Sequence, residues 1–374
     1  MKQGRSIAEV LRELQRQNTM KRDFITPARA LHLEDDGRTF VMNGVPGAEG
    51  AGGSVSGEES AGNTMVLDTT PLFHRQVASS LGIPAKYYDL MQDQKPELLA
   101  DNVNSWLSDR DQNYMVRSMG GEAAGTDTAF LARAFLSDRY RRIDNMDVAA
   151  AVLPLFAGSD QFEIVSSEVT SVRMYIKILN HRLEAEVKPG DYVQAGVVIS
   201  NSEVGLGAVS VQPLLYRLVC LNGMVINDFG QRKHHIGRAA KVMDDSFELY
   251  SDATIEAEDK AFLLKLRDVT RAAIEETRFN QIVDTLREST DARITGPVQD
   301  VVELTGKSLG ITQDEQDGVL KYLIEGGDLS LYGLSNAFTR FSQDVESYDR
   351  ATALEGMGWQ VATMPKTQWK EINR

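Results

Sequence analysis

The sequence predicts an α+β protein: a central antiparallel sheet with a packed helix, flanked by N-terminal helices and an acidic, helical C-terminal region. Three observations carry that prediction. In SVRMYIKIL, Val172, Met174, Ile176 and Ile178 alternate with Arg173, Tyr175 and Lys177, the period of two expected of a strand. The segments before and after this region carry apolar residues at helical spacing instead. The strands also cluster in the middle of the chain rather than alternating with helices, which favours α+β over a doubly wound sheet.

The elements follow in order. SIAEVLRELQRQ spaces Ile7, Val10, Leu11 and Leu14 as a helix. ALHLEDDGRTFVMNGV reads as a hairpin. Residues 44–62 hold seven glycines and almost no bulky side chain, so they predict a mobile loop. Thr70-Pro71 is a good helix start, a capping hydroxyl followed by proline in the first turn, and Gly82 and Pro84 close that helix. KYYDLM and PELLADNVNSWLS predict two more helices, and TAFLARAF a further amphipathic stretch ending at the polar turn LSDRYRRIDN.

MDVAAAVLPLF predicts a helix, and QFEIVSSEVT, SVRMYIKIL and DYVQAGVVIS predict strands, with Gly207 to Val211 able to supply a fourth. Pro213 then opens PLLYRLVCLNGM, where Leu214, Leu215, Leu218 and Val219 share one helical stripe; this is the helix expected to pack on the sheet. From about residue 254 onward the pattern is helical, broken by glycines. The expected domains are 1–129, helical with a hairpin; 130–241, the α+β core; and 242–374, the acidic helices.

Charge sharpens this division. The 374 residues have a formal net charge of −14, which argues against bulk attraction to nucleic acid or anionic membranes. Residues 1–129 carry net −5 and residues 242–374 net −11, whereas residues 130–241 hold 13 basic and 11 acidic groups, net +2. No run approaches the roughly 18 apolar residues of a membrane span, and the charged opening MKQGRSIAEV lacks a secretory signal's apolar core. A lone cysteine, Cys220, fits a reducing compartment, so a cytoplasmic location is expected, in a bacterium or in a phage's host.

Familiar catalytic and ligand signatures are incomplete. TGKSLG has Val301 where a phosphate loop needs its first glycine, and SEVGLGAVS has Ser210 where a dinucleotide fold needs its third. Both sets of glycines read as turn or close-packing positions. The adjacent His234 and His235 would point to opposite faces of a strand and lack further ligands, so no metal is expected. Cys220 lies in an apolar run and reads as a small buried hydrophobe. The expectation is therefore a protein that is not an enzyme and has no cofactor.

Three clusters in the net-positive segment point elsewhere. Arg139, Tyr140, Arg141 and Arg142 sit in one turn; Arg173, Tyr175 and Lys177 share one face of a strand; Arg232, Lys233, His234, Arg238 and Lys241 fall in GQRKHHIGRAAK, which contains no carboxylate. Cations interleaved with aromatic rings suit single-stranded nucleic acid, because rings stack bases while guanidinium and ammonium groups follow phosphates. Any solvated strand face also carries polar residues, so the strand triplet alone is weak.

The chain resembles the phage/plasmid-like proteins of domain-of-unknown-function family 932. The resemblance is carried by GIPAKYYDLM, PELLADNVNSWL, AFLSDRYRRIDN, GDYVQAGVVISNSEVGLGAVSVQPLLYRLVCLNGM and GGDLSLYGLSNAFTR, and the glycine-rich stretch at 44–62 departs from it. The family offers no catalytic residues to carry over. By topology, antiparallel strands followed by a packed helix are also similar to the core of single-strand annealing proteins. That likeness implies that the three basic clusters line a groove holding single-stranded DNA, in an oligomer.

The expected function is thus non-catalytic binding or annealing of single-stranded DNA in recombination or replication. Expected partners are that DNA and host or phage replication proteins, with no membrane and with self-association. The alternatives are a protein-interaction factor acting through the acidic C-terminal helices, and an enzyme with an unrecognised site.

Overall fold

A computed structural model of the chain describes residues 1–44, 64–120, 130–140, 142–207, 209–227, 252–273 and 275–374. These fall into two compact units, and the division runs through the first helix, α1 (Ile7–Met20). One unit comprises Glu13–Arg142 with Glu203–Leu206; the other comprises Met1–Arg12, Ile143–Ser202 and Gly207–Arg374. The units therefore part elsewhere than at 129 and 241.

The smaller unit is a six-stranded sheet backed by helices. Its strands are β1 (Lys21–Pro27), β2 (Leu31–Leu33), β3 (Phe40–Met42), β4 (Met65–Thr69), β5 (Asn113–Met119) and β6 (Phe130–Ser137), in the order β1-β5-β6-β4-β3-β2. β2 and β3 form the expected antiparallel hairpin. β4 and β6 run parallel, which requires a long crossover. The connection carries α2 (Pro71–Leu81), α3 (Ala85–Gln94), α4 (Pro96–Ser108) and β5.

The capping logic holds for α2. The Thr70 hydroxyl accepts a hydrogen bond from the Phe73 amide, and Gly82 closes the helix in the left-handed region at φ 75°. Phe73, Val77, Tyr88, Leu99, Val103 and Leu107 from these helices meet Leu33, Phe40, Leu67, Val116 and Phe135 of the sheet in one core.

TAFLARAF corrects the sequence reading: from Phe130 onward it is strand β6, not a helix. Its register against β5 shifts between Arg117 and Ser118, pairing them with Ala134 and Ala132 so that one residue is extra. Such a bulge breaks the alternation by which a strand is recognised. The alanines add local helical preference, which sheet pairing overrides.

The larger unit is built on a five-stranded antiparallel sheet. β7 (Phe162–Val169), β8 (Met174–Lys188), β9 (Asp191–Asn201), β10 (Ser210–Arg217) and β11 (Asn222–Val225) are arranged in the order β11-β10-β9-β8-β7. Its helices are α5 (Asn145–Val152), α6 (Asp252–Ala273), α7 (Glu276–Asp291), α8 (Val298–Leu309), α9 (Gln313–Gly326), α10 (Leu331–Phe341), α11 (Tyr348–Ala362) and α12 (Lys366–Ile372). α6 packs against β9 and β10, α7 against β8, and α10 and α11 against β11. The α+β class stands, but the acidic C-terminal helices belong to the same unit as the sheet.

A second correction concerns PLLYRLVCLNGM, which is not the packed helix. It forms most of β10, a tight turn through Leu218–Leu221 and β11. The reason is burial on both faces. Leu214 packs with Tyr175, Leu179, Val198 and Val225, whereas its neighbour Leu215 packs with Val193, Ala195 and Met224. A strand buried on both sides reads as a continuous apolar run and loses its period. The topological likeness to annealing proteins depends on a helix at this place and loses it. Cys220 lies half-buried in the turn, not in a helix, and an Arg217 N–H points at its sulfur from 3.3 Å.

Candidate nucleic-acid interface

The first cluster sits where β6 leaves the smaller sheet. The Tyr140 amide donates to the Ser137 carbonyl at 3.0 Å and closes the turn. Arg139 and Arg142 are exposed there, and Tyr140 is half-buried; Arg141 lies outside the described residues. The Arg142 guanidinium comes no nearer than 3.9 Å to the Asp23 carboxylate.

That carboxylate is already engaged. Arg117, only 2% exposed in the middle of β5, meets Asp23 through Nη2 at 3.1 Å and Nε at 3.2 Å. Its Nη1 donates to the Glu203 backbone carbonyl at 2.9 Å, while Arg133 of β6 reaches the Glu203 carboxylate at 3.3 Å. Burial pushes the Arg133 guanidinium below its ordinary pKa, and Glu203 opposes that shift. Buried Arg117 and half-buried Arg133 thus pair with the two acids, and Arg139 and Arg142 stay exposed. Sequence reasoning passed over Arg117 and Arg133, although a lone cation inside an apolar strand such as YMVRSM or FLARAF signals a buried ion pair.

The second cluster corrects the sequence reading. Tyr175 and Lys177 do not face solvent: Lys177 is 0% exposed and Tyr175 5%. Helix α11 covers them. Lys177 Nζ lies 2.6 Å from Glu355 Oε2 and 4.8 Å above the Tyr348 ring. The Tyr175 hydroxyl donates to Asp349 at 2.7 Å, and the Tyr348 and Ser166 hydroxyls share a hydrogen bond at 2.6 Å. Burial, reinforced by Asp349, pushes the Tyr175 phenol above its ordinary pKa.

Tyr348 and Glu355 are seven residues apart and so share one helical face, and with Asp349 they match the strand's cation and ring. Arg173 is half-buried and lies so close to Gly207, at φ 140°, that a Cβ there would meet its guanidinium at 2.7 Å. On the face opposite Tyr175 and Lys177, Met174, Ile176 and Ile178 are buried as well, so the strand has no free face in this region.

Arg232, Lys233, His234, Arg238 and Lys241 lie outside the described residues, as does nearly all of the glycine-rich stretch at 44–62. Among the described residues no three His, Cys, Asp or Glu side chains are placed to hold a metal ion, and no helix is long and apolar enough to cross a membrane. The glycine of TGKSLG's GKS lies inside α8 against Gln316, a packing position, and Gly205 and Gly207 both have positive φ. His74 is buried between the hydroxyls of Thr69 at 2.7 Å and Tyr88 at 2.8 Å, and burial lowers its pKa to about 4, so it is neutral at pH 7.

Residues 133–374 match a family model described as Domain of unknown function (DUF932). Neither the curated proteins nor the solved structures contain a match to the chain.

Proposed function

The chain belongs to the DUF932 family, and on that premise we propose that it is a non-catalytic protein of phage or plasmid type that holds single-stranded DNA during recombination or replication. The surface that would bind the strand is the turn that carries Arg139, Tyr140 and Arg142; the basic stretch at 230–241 lies outside the described residues. One observation supports the reading: Arg139 and Arg142 are exposed and Tyr140 is half-buried in one turn of the smaller unit, and that unit's Asp23 and Glu203 are paired with Arg117 and Arg133.

An aromatic ring between two cations can stack a base while the guanidinium groups hold its phosphates. Holding a strand extended requires no bond to be made or broken. The local charge also answers the objection from the net charge of −14, since phosphate contacts are felt within about a Debye length. Tyr175 and Lys177 drop out of the interface because α11 occupies their face.

The test is a fluorescence-anisotropy titration of labelled single- and double-stranded oligonucleotides at two salt concentrations. Preferential single-strand binding that weakens steeply with salt is expected. Absence of binding to either oligonucleotide at low salt would refute the proposal.

A further inference from the structure

The larger unit carries a cleft of about 250 Å³ between the turn at Pro154, Leu155 and Phe156 and the helix α6, whose Arg267, Thr270 and Arg271 form its other wall. Its floor is apolar and fixed: Phe156 is 6% exposed and its ring meets Phe162 edge-on at 5.1 Å. Thr270 is fully buried and its hydroxyl donates to the Leu266 carbonyl at 2.7 Å. The positive charge in the cleft therefore belongs to the two guanidinium groups.

Their arrangement is unusual for a purely structural pair. Arg267 and Arg271 are one turn apart on the same helical face, where like charges repel. Arg271 stands in the last turn, where the helix dipole favours a cation, and has Asp268 3.6 Å away. Arg267 has neither advantage. It is half-buried, and among the described residues it has no carboxylate and no hydrogen-bond partner. A guanidinium partly withdrawn from water beside another guanidinium is satisfied by a bidentate anion, and a phosphate oxygen pair fits that fork.

We propose that this cleft is a binding site for a phosphomonoester or phosphodiester group, held between Arg267 and Arg271, with the carbon skeleton attached to it lying on Leu155 and Phe156. The cleft is smaller than typical drug-sized pockets, of roughly 300–1,000 Å³, so it takes one nucleotide-sized unit at most. The phosphate can come from a free nucleotide or from a strand. This site shares no residue with the turn Arg139–Arg142 and does not depend on it.

The test uses the full-length chain, with inorganic phosphate and AMP titrated by calorimetry and an oligo-dT by anisotropy. The variants are Arg267→Gln, Arg271→Gln and the double variant, with Arg182→Gln, an exposed arginine elsewhere, as control. Wild type and control should bind AMP saturably, and the double variant at least tenfold more weakly, with an unchanged circular-dichroism spectrum. If AMP binds and oligo-dT affinity is untouched by the double variant, the source is a free nucleotide; if oligo-dT affinity alone falls, it is the strand. Failure of wild type to bind phosphate, AMP and oligo-dT alike, or equal binding by wild type and the double variant, overturns the proposal. Substitutions at Arg139 and Arg142 should leave AMP binding intact, so the two readings fail separately.

Discussion

The chain contains two arrangements of the same residue types with opposite fates. In the turn after β6, Arg139 and Arg142 stay exposed and Tyr140 half-buried, while Asp23 and Glu203 are paired with Arg117 and Arg133. On β8, Tyr175 and Lys177 are sealed beneath α11, which brings Glu355, Asp349 and Tyr348 to meet them. Alternating cation and ring is therefore not in itself a binding signature. What decides is whether the fold supplies a complementary acidic face, and β8 receives one.

The largest effect should come from breaking the sealed side. Glu355→Leu leaves the Lys177 ammonium buried without its partner and should cost about 3–5 kcal/mol of stability. The double replacement Lys177→Met/Glu355→Leu should recover most of that, since Glu355 Oε1 is itself buried without a hydrogen-bond partner among the described residues and an apolar pair of similar volume is often neutral or better. Urea unfolding of the two single variants and the double gives the coupling directly. Additive single and double costs would mean that Lys177 is less enclosed than its 0% exposure implies.

Next in size is a pH effect in the smaller unit. Burial lowers the His74 pKa to about 4 from an ordinary 6.5. The neutral ring is the folded form, so stability is fully present above about pH 6.5 and is lost as pH falls toward 4. The loss should be roughly 3 kcal/mol, at 1.36 kcal/mol per pKa unit. Unfolding measured between pH 7.5 and 4.5 should show this slope in wild type and a flatter one in His74→Gln. A smaller effect is expected from Tyr348→Phe, which keeps the ring over Lys177 and removes only the hydroxyl bonded to Ser166. It should cost about 1 kcal/mol.

The same contrast marks what a sequence can disclose. α1, α2 with its Thr70 cap, the β2–β3 hairpin and strands β7 to β9 were legible because period or capping residues lie within a few positions of each other. β6 and β10 were not, one because a bulge interrupts its alternation and the other because Leu214 and Leu215 are buried on opposite faces. The fate of Lys177 was hidden for a longer-range reason: Glu355 is 178 residues further along the chain. The pairs Arg117–Asp23 and Arg133–Glu203 are likewise joined only by the fold, at separations of 94 and 70 residues. The turn's arginines and tyrosine lie within four adjacent positions and so could be found by inspection.

One measurement tests the contrast most directly. Oligo-dT affinity is compared by anisotropy, at two salt concentrations, for wild type, for Arg139→Ala/Tyr140→Ala/Arg142→Ala, and for Lys177→Met/Glu355→Leu. The turn variant should bind more weakly, with its salt slope reduced by about 0.7 for each phosphate it no longer neutralises, and should stay folded by circular dichroism. The buried-pair variant should bind as wild type does. Undiminished binding by the turn variant, or weakened binding confined to the folded buried-pair variant, would contradict the account.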